Sequence, residues 1–518
     1  MSTKGTSRVM LAIGSSRVLG LVREILLNTF LGAGKELDAL IAAFRIPNLL
    51  RDLFAEGALS TAFVTTFSQK LAKEGKAAAF RLASNVNTLL FIALLLIVTV
   101  GIIFADPLVR LLNPGFAAVP GKLALTVELT RILFPFILFL SLAAVYMGLL
   151  NSLHHFGLPA FASAAFNFVS IAVGLLLAWI FDPTFGQRSV YGFAIGVLVG
   201  GLAQWLVMVP RAISLGYQPR WLLVWSDPGL KQVLRLLGPA SIGAAAVQVN
   251  VMINGYFASY LADGSVTCLN NAFRLIQLPI GLFGVAVATV TLPHLARHAA
   301  LDEKVALRNR LLVGIRQTLF LTLPAAIGLF LLADPITACI FQYGRFSVES
   351  ASLTALALRG YSIGLVSYAC MKVVAPAFSA IGRPGVPLRV SLTGIFLNLT
   401  FNYLLIRVYH LGILGLTLTT ASVATLNILQ LAWASHRQVG SYFVSHFLQG
   451  IGKIILCCVA LTGALVSGLQ FIHPMGQPIP VRIAGTVALV LLGVLAYFLT
   501  AKLLKLPDLG LLLRHKNR

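Results

Sequence analysis

Residues 89–104 read Leu-Leu-Phe-Ile-Ala-Leu-Leu-Leu-Ile-Val-Thr-Val-Gly-Ile-Ile-Phe, and Ala105-Asp106-Pro107 follows at once. No charged side chain interrupts the run, which is close to the length a helix needs to cross a hydrocarbon core about 30 Å thick. The tripeptide after it returns as Ala333-Asp334-Pro335, 228 residues later (333 against 105). One stretch thus carries two signals, a membrane span and an internal repeat.

Working outward, the same offset of 228 relates Gly157-Leu158-Pro159 to Gly385-Val386-Pro387, and Arg131 to Arg359. Ala43-Phe44-Arg45 matches Ala272-Phe273-Arg274, and Leu53-Phe54 matches Leu282-Phe283, at 229. The agreement of separate matches within one residue points to a duplicated unit. Apolar runs of about 20 residues recur throughout, and the length rule gives roughly 14 spans. The first two and the eighth read as the least apolar. Six spans per unit is an even number, so both copies keep one orientation, as in transporters built from parallel repeats.

The predicted fold class is therefore an all-α polytopic membrane protein with about 14 transmembrane helices. Two parallel six-helix lobes, 1–225 (helices 1–6) and 226–440 (helices 7–12), precede two further helices in 441–518. Composition agrees. The chain is 58% hydrophobic and 11% charged, against about 25% charged in soluble domains, and its mean hydropathy is +0.91. Short apolar–polar alternation is absent, which excludes an outer-membrane barrel. Arg17, Arg23 and Glu24 interrupt the N-terminal apolar run, so it does not read as a cleavable signal.

A net charge of +23 would suit a nucleic-acid partner, but the cations fall in alternate loops. One set contains Lys4, Arg8, Lys70, Lys73, Lys76, Arg81, Arg211, Arg220, Lys231, Arg235, Arg297, Lys304, Arg308, Arg310, Arg383, Arg389 and the tail from Lys502. The opposite loops hold few: Lys35, Arg110, Lys122, Arg188, Arg345, Arg407 and Arg482. This is the positive-inside pattern; it places both termini in the cytoplasm and the partners in the membrane, not in nucleic acid. The five cysteines, at 268, 339, 370, 457 and 458, fall in or beside apolar spans with no metal-ligand spacing. They read as small apolar fillers.

Charges inside spans carry the functional signal, because an ionisable group at bilayer depth is costly. The first span contains Arg17, Arg23 and Glu24; the second contains Arg45, Arg51, Asp52 and Glu56. Arg45, Asn48, Asp52 and Glu56 share one helical face, with Pro47 as a candidate kink. Asn270, Arg274 and Gln277 share another, and Lys372 lies in the tenth span. Cations outnumber acids even if every acid is paired. Such a face lines a wet cavity and selects anions, and guanidinium groups hold phosphate oxygens in bidentate pairs. No Walker loop, GxSxG or HExxH is present, so neither an enzyme, a cofactor nor a metal centre is expected. The energy source is then an ion gradient, the membrane potential or substrate flux.

Ser16-Arg17-Val18-Leu19-Gly20, Arg23-Glu24, Asp38-Ala39, the stretch Ala43-Phe44-Arg45-Ile46-Pro47-Asn48-Leu49-Leu50-Arg51 and Phe54-Ala55-Glu56-Gly57-Ala58 together resemble the signature of the MurJ (MviN) lipid II flippase family. Pro114-Gly115-Phe116, Gly238-Pro239-Ala240, Leu278-Pro279 through Leu292-Pro293, Phe341-Gln342-Tyr343-Gly344 and Lys372 to Pro376 extend the likeness over nearly the whole chain. The resemblance implies membership of the multidrug/oligosaccharidyl-lipid/polysaccharide exporter superfamily. It implies a cargo, lipid II (undecaprenyl-pyrophosphoryl-disaccharide-pentapeptide), moved to the outer leaflet of the bacterial cytoplasmic membrane for peptidoglycan synthesis. Cell-wall synthesis proteins and membrane lipids are its implied partners. By motif match it assigns the pyrophosphate to Arg17, Arg23, Arg51 and Arg274, places Arg45 at a basic position, and links Asp38 and Glu56 to gating. It also gives the last two helices the lipid tail.

Two departures from the family pattern matter. Phe273 and Gln277 flank Arg274 where other members carry acids. The nearest candidates for a sodium site are the neutral Asn254, Asn398 and Asn402, and amides alone are weak ligands for a hard cation. The expected mechanism is alternating access, with Gly20, Pro47 and Gly281 as bending points. The rivals are a flippase for another lipid-linked polysaccharide, a drug/cation antiporter of the same superfamily, and a non-transporting membrane scaffold.

Overall fold

The computed structural model describes residues 3–54, 58–442 and 444–513, leaving aside the side chains of 3–13, 53, 54, 58, 239–244, 246, 439 and 511–513. Among the described residues every regular element is helical. The first ten are α1 (Thr3–Leu31), α2 (Lys35–Phe54), α3 (Ala58–Ile103), α4 (Ala105–Leu112), α5 (Lys122–Leu133), α6 (Phe136–Ser152), α7 (Gly157–Phe181), α8 (Ser189–Leu206), α9 (Val209–Ser214) and α10 (Pro228–Ala258). Then come α11 (Ser265–Pro279), α12 (Val285–Ala300), α13 (Lys304–Leu331), α14 (Ala333–Phe341), α15 (Val348–Ala380), α16 (Gly385–Asn402), α17 (Gly412–Val439), α18 (Ser445–Phe471), α19 (Ile479–Leu503) and α20 (Pro507–Leu513). The chain divides into two compact units: residues up to 267 with 343–346, and residues 268–342 with 347–518.

Helix bounds recur at the offset read from the sequence. Helix α3 breaks at Gly75, whose φ of +83° no L side chain adopts easily, and its second part runs 76–103. That part and α13 (Lys304–Leu331) differ by 228 at both ends. Helices α4 and α14 both open on Ala-Asp-Pro after caps of nearly equal φ, −94° and −95°. The copies differ where a proline stands in only one. Pro135 separates α5 from α6, whereas α15, with Ile363 at the matching place, runs unbroken.

Eleven helical stretches among the described residues are long and apolar enough to cross a membrane. Helices α1, α2 and α10, of 29, 20 and 31 residues, stand outside that set. The expected weak eighth span is therefore corrected. Ser265–Ala300 is inside the set, because the polar residues stop at Gln277 and α12 supplies an apolar second half.

Packing follows membrane rules. On α8, Gly192, Gly196 and Gly200 recur every fourth residue against α7. A Cβ on Gly196 would lie 2.4 Å from the Gly174 Cα, and one on Gly192 2.2 Å from the Ala178 backbone nitrogen. Small residues at this spacing let two helices touch backbone to backbone, which matters where lipid gives helices no hydrophobic reason to associate. Hydroxyls inside spans turn back on their own helix: Thr126, Thr130, Thr318 and Thr322 each donate to the carbonyl four residues earlier at 2.7–2.9 Å. Large apolar side chains such as Phe168 (62% exposed) and Leu96 (65%) point outward, as lipid allows and water does not.

In the second unit the tail is tied by a buried ion pair. The Arg316 Nε on α13 donates to Asp508 Oδ1 on α20 at 3.1 Å and lies 3.0 Å from Oδ2, and both residues are buried. Arg316 Nη1 lies 3.4 Å from His446 Nε2 on α18, and Gly450 leaves the guanidinium its room. Asp508→Ala leaves that cation buried without its anion, so about 3–5 kcal/mol of stability is lost. The expected result is a lower thermal midpoint in detergent and earlier tryptic cleavage at Lys505. Unchanged cleavage would mean that α20 is held by something else.

Candidate functional site

Helix α1 presents Arg17 to the outside, exposed, and buries most of Arg23 one and a half turns later. Arg23 sits over the Phe166 ring of α7 at 5.1 Å and reaches the adjacent Glu24, Nη2 to Oε1 3.3 Å. The Gly20 backbone meets the Asn167 amide, which donates to the Ser16 carbonyl at 3.2 Å. Helix α2 places Arg51 beside Asp52, with Nε and Nη2 donating to Oδ1 at 3.1 and 2.7 Å. The other Asp52 oxygen accepts from Gln248 of α10 at 3.1 Å. The Arg45 guanidinium approaches Gly255 of α10 through Nη1; a Cβ there would come 2.4 Å from that nitrogen. Glu24 and Asp52 are the sequence neighbours of the arginines they meet. Side chains at i and i+1 do not face each other on a helix, so each such pair is bent together and easily exchanged. Glu56 lies outside the described residues.

Arg274 belongs to the second unit. It is half-buried on α11 beside Phe273, which stacks edge-on against Tyr361 of α15 at 5.5 Å. Gln277 is exposed, as is Lys372 on α15. Helix α11 runs into a π turn at Ile280–Gly284 just after Pro279, while α1 stays helical through Gly20 and α2 through Pro47. Of the three bending points read from the sequence, only Gly281 sits in an irregular turn. Asn254 is half-buried in the first unit. Asn398 and Asn402 are buried together in the second, and the Asn402 amide donates to Asn398 Oδ1 at 2.8 Å. No group of three or more His, Cys, Asp or Glu side chains converges on a metal-sized site among the described residues.

Asp38 is held from several sides. It is fully buried at the start of α2, where four donors converge on it: Lys122 Nζ at 2.7 Å, Gly264 N at 2.8 Å, Thr267 N at 2.8 Å and Thr267 Oγ1 at 2.7 Å. Lys122 is itself buried, bridges to Asp263 at 2.5 Å and lies over the Phe116 ring at 4.3 Å. This is a closed clasp between the α2 start, the α5 start and the α10–α11 turn. The turn needs Gly264 at φ +84°, where a Cβ would press the Ala33 carbonyl at 2.9 Å. Nearby, the Arg345 backbone nitrogen donates to the Thr29 carbonyl at 2.9 Å, and its guanidinium donates to the carbonyls of Thr184, at 2.9 Å, and Phe185. Sequence reasoning took Lys122 for an ordinary loop cation. The signal that could have found the clasp was the repeat itself: Asp38 and Thr267 stand 229 apart, the offset that relates Arg45 to Arg274.

The family profile described as "Lipid II flippase MurJ" matches residues 27–479. The chain is 32% identical over 508 residues to a probable lipid II flippase MurJ of Vibrio cholerae, covering 95% of each chain. It is 36% identical over 453 residues to a lipid II flippase MurJ of Burkholderia cenocepacia, covering 85% of this chain and 86% of that one. A solved lipid II flippase MurJ in an inward closed conformation superposes with TM-score 0.78 at 24% identity, over 96% and 98% of the two chains. An inward-facing MATE transporter of the MOP superfamily superposes at TM-score 0.67 and 17% identity, over 82% and 94%. The chain belongs to the lipid II flippase MurJ family, multi-pass membrane transporters rather than enzymes.

Proposed function

We propose that Arg17, Arg23, Arg51 and Arg274 hold the pyrophosphate of lipid II while it is carried from the inner to the outer leaflet by alternating access. The observation that carries this reading is the pairing on α1 and α2. Arg23 and Arg51 rest on the carboxylates of their own sequence neighbours, Glu24 and Asp52. A pyrophosphate brings more charge and more acceptor oxygens than one carboxylate, and it suits the planar fork of a guanidinium. Arrival of the lipid exchanges a bent internal pair for a better external one. Arg45 adds a nearby cation.

The lobes of this cycle are 1–225 and 226–440, with 441–518 taking the lipid tail; the recurrence of helix bounds at 228 supports the division. Counting α1, α2 and α10 with the eleven apolar stretches gives fourteen crossings. The basic loops place both termini in the cytoplasm of a bacterial inner membrane. The Asp38 clasp is the gate element of this scheme, and it must release for the α2 start and the α10–α11 turn to part. Glu56 is assigned to gating by its motif alone. Asn398 and Asn402 bond to each other, which leaves them poor ion ligands with Asn254; transport is then driven by substrate flux or membrane potential.

The test is expression in a bacterium depleted of its own flippase, with lipid II counted on the outer leaflet of the inner membrane. Restored exposure is expected. If an undecaprenyl intermediate other than lipid II appears outside instead, the cargo is a different lipid-linked glycan.

A further inference from the structure

Between α9 and α10, residues 217–224 form neither helix nor strand. Side chains of α3 hold it instead. Asn85, fully buried, donates to the Val224 carbonyl at 2.9 Å and accepts from its nitrogen at 2.9 Å, as a neighbouring strand would. Thr88 accepts from the Leu222 nitrogen at 3.1 Å and reaches the Arg220 carbonyl at 3.4 Å. The ends are fixed by buried Tyr217 and by Asp227, which caps α10 through the Gly229 nitrogen at 2.8 Å and takes Lys70 at 3.1 Å.

Burial alternates along residues 221–225 of this strap, the pattern of an extended segment. Leu222 and Val224 turn inward, and Trp221 (75% exposed), Leu223 (40%) and Trp225 (58%) turn out. Trp221 meets Phe91 of α3 edge-on at 5.1 Å, and the exposed Ile92, Leu95 and Leu96 continue the same helix. The outward face thus lies beside a lipid-facing stretch. It is flanked by exposed Arg211, Arg220, Lys231 and Arg235, and the one acid between residues 209 and 235, Asp227, is engaged by Lys70. Tryptophans with cations at the end of an apolar helix match the headgroup region of a leaflet.

We propose that this strap is a docking surface for anionic phospholipid headgroups. Under the orientation proposed above, on which the choice of leaflet rests, the headgroups are those of the cytoplasmic leaflet. The cations neutralise the phosphate and the indoles fill the level between headgroup and acyl chain. The role is separate from the arginines of α1 and α2 and does not involve cargo.

The full chain in nanodiscs is compared with brominated phosphatidylglycerol and with brominated phosphatidylcholine at equal mole fraction, reading tryptophan emission. Each cation near the surface enriches anionic lipid roughly fivefold, so phosphatidylglycerol is expected to quench more. The excess disappears in Trp221→Phe/Trp225→Phe, which locates it, and shrinks in Arg220→Gln/Lys231→Gln. The backbone ties to Asn85 and Thr88 are untouched by either change. Equal quenching by the two lipids overturns the proposal and hands the face to a protein partner; an excess that persists without the two indoles overturns it as well. Lipid II flipping is scored separately. Its loss with the excess intact counts against the arginine site and not against the strap.

Discussion

Arg51→Ala and Arg274→Ala each remove lipid II from the outer leaflet while the protein inserts normally. Truncating one partner of a desolvated charge pair costs about 2–5 kcal/mol, so transport falls by roughly one and a half to three and a half orders of magnitude at limiting cargo. The two substitutions act differently on the empty protein. Arg51→Ala deprives Asp52 of its closest cation and leaves it with Gln248, so a carboxylate is exposed to the incoming phosphate. Arg274→Ala removes a cation flanked in the chain by Phe273 and Gln277. Arg51→Ala/Asp52→Asn therefore recovers part of the loss. Arg51→Lys retains charge but not the bidentate fork and falls between. Full flipping by both alanine variants would remove the pyrophosphate assignment altogether.

Lys122→Met destabilises the protein by about 3–5 kcal/mol, because a buried carboxylate loses its counter-charge. Three of the four donors to Asp38 remain after the change, the Gly264 nitrogen and both groups of Thr267. They are neutral, and they cannot offset a desolvated negative charge. Adding Asp38→Asn restores most of the stability, because an amide oxygen can still accept from them. A thermal midpoint that drops in the single variant and recovers in the double one is the expected pattern. Equal midpoints in all three proteins would show that Asp38 is not charged where it lies. The arginine variants above are expected to keep the parental midpoint, which separates cargo binding from the clasp.

The sequence was legible where signals are local or periodic. A charge-free run is a span whatever surrounds it, and two tripeptides 228 apart located helix starts that the structure places at the same spacing. Arginines at bilayer depth were conspicuous because lipid makes them expensive. Partnership was the part that could not be read. Asp38 stood out as an acid, yet its cation lies 84 residues away in what looked like a solvated loop. Arg316 and Asp508 are 192 residues apart, and Asp508 was hidden among the cations of the tail. The strap escaped for another reason. Its alternation covers only Trp221 to Trp225, too short to register beside spans several times longer.

Arg316 stands 228 residues after Thr88. In the first copy that position grips the strap, through the Leu222 nitrogen; in the second it grips α20, through Asp508. After a gene is duplicated, the chain that leaves each copy has a different destination, one running on into the second copy and the other towards the terminus. The matching position is a fastening point in both copies, and its chemistry differs with the length of chain to be fastened. A hydroxyl suffices for a segment that comes straight back. A buried guanidinium serves one that returns only after two more helices. The two copies thus fasten the chain that leaves them at the same place and by different chemistry.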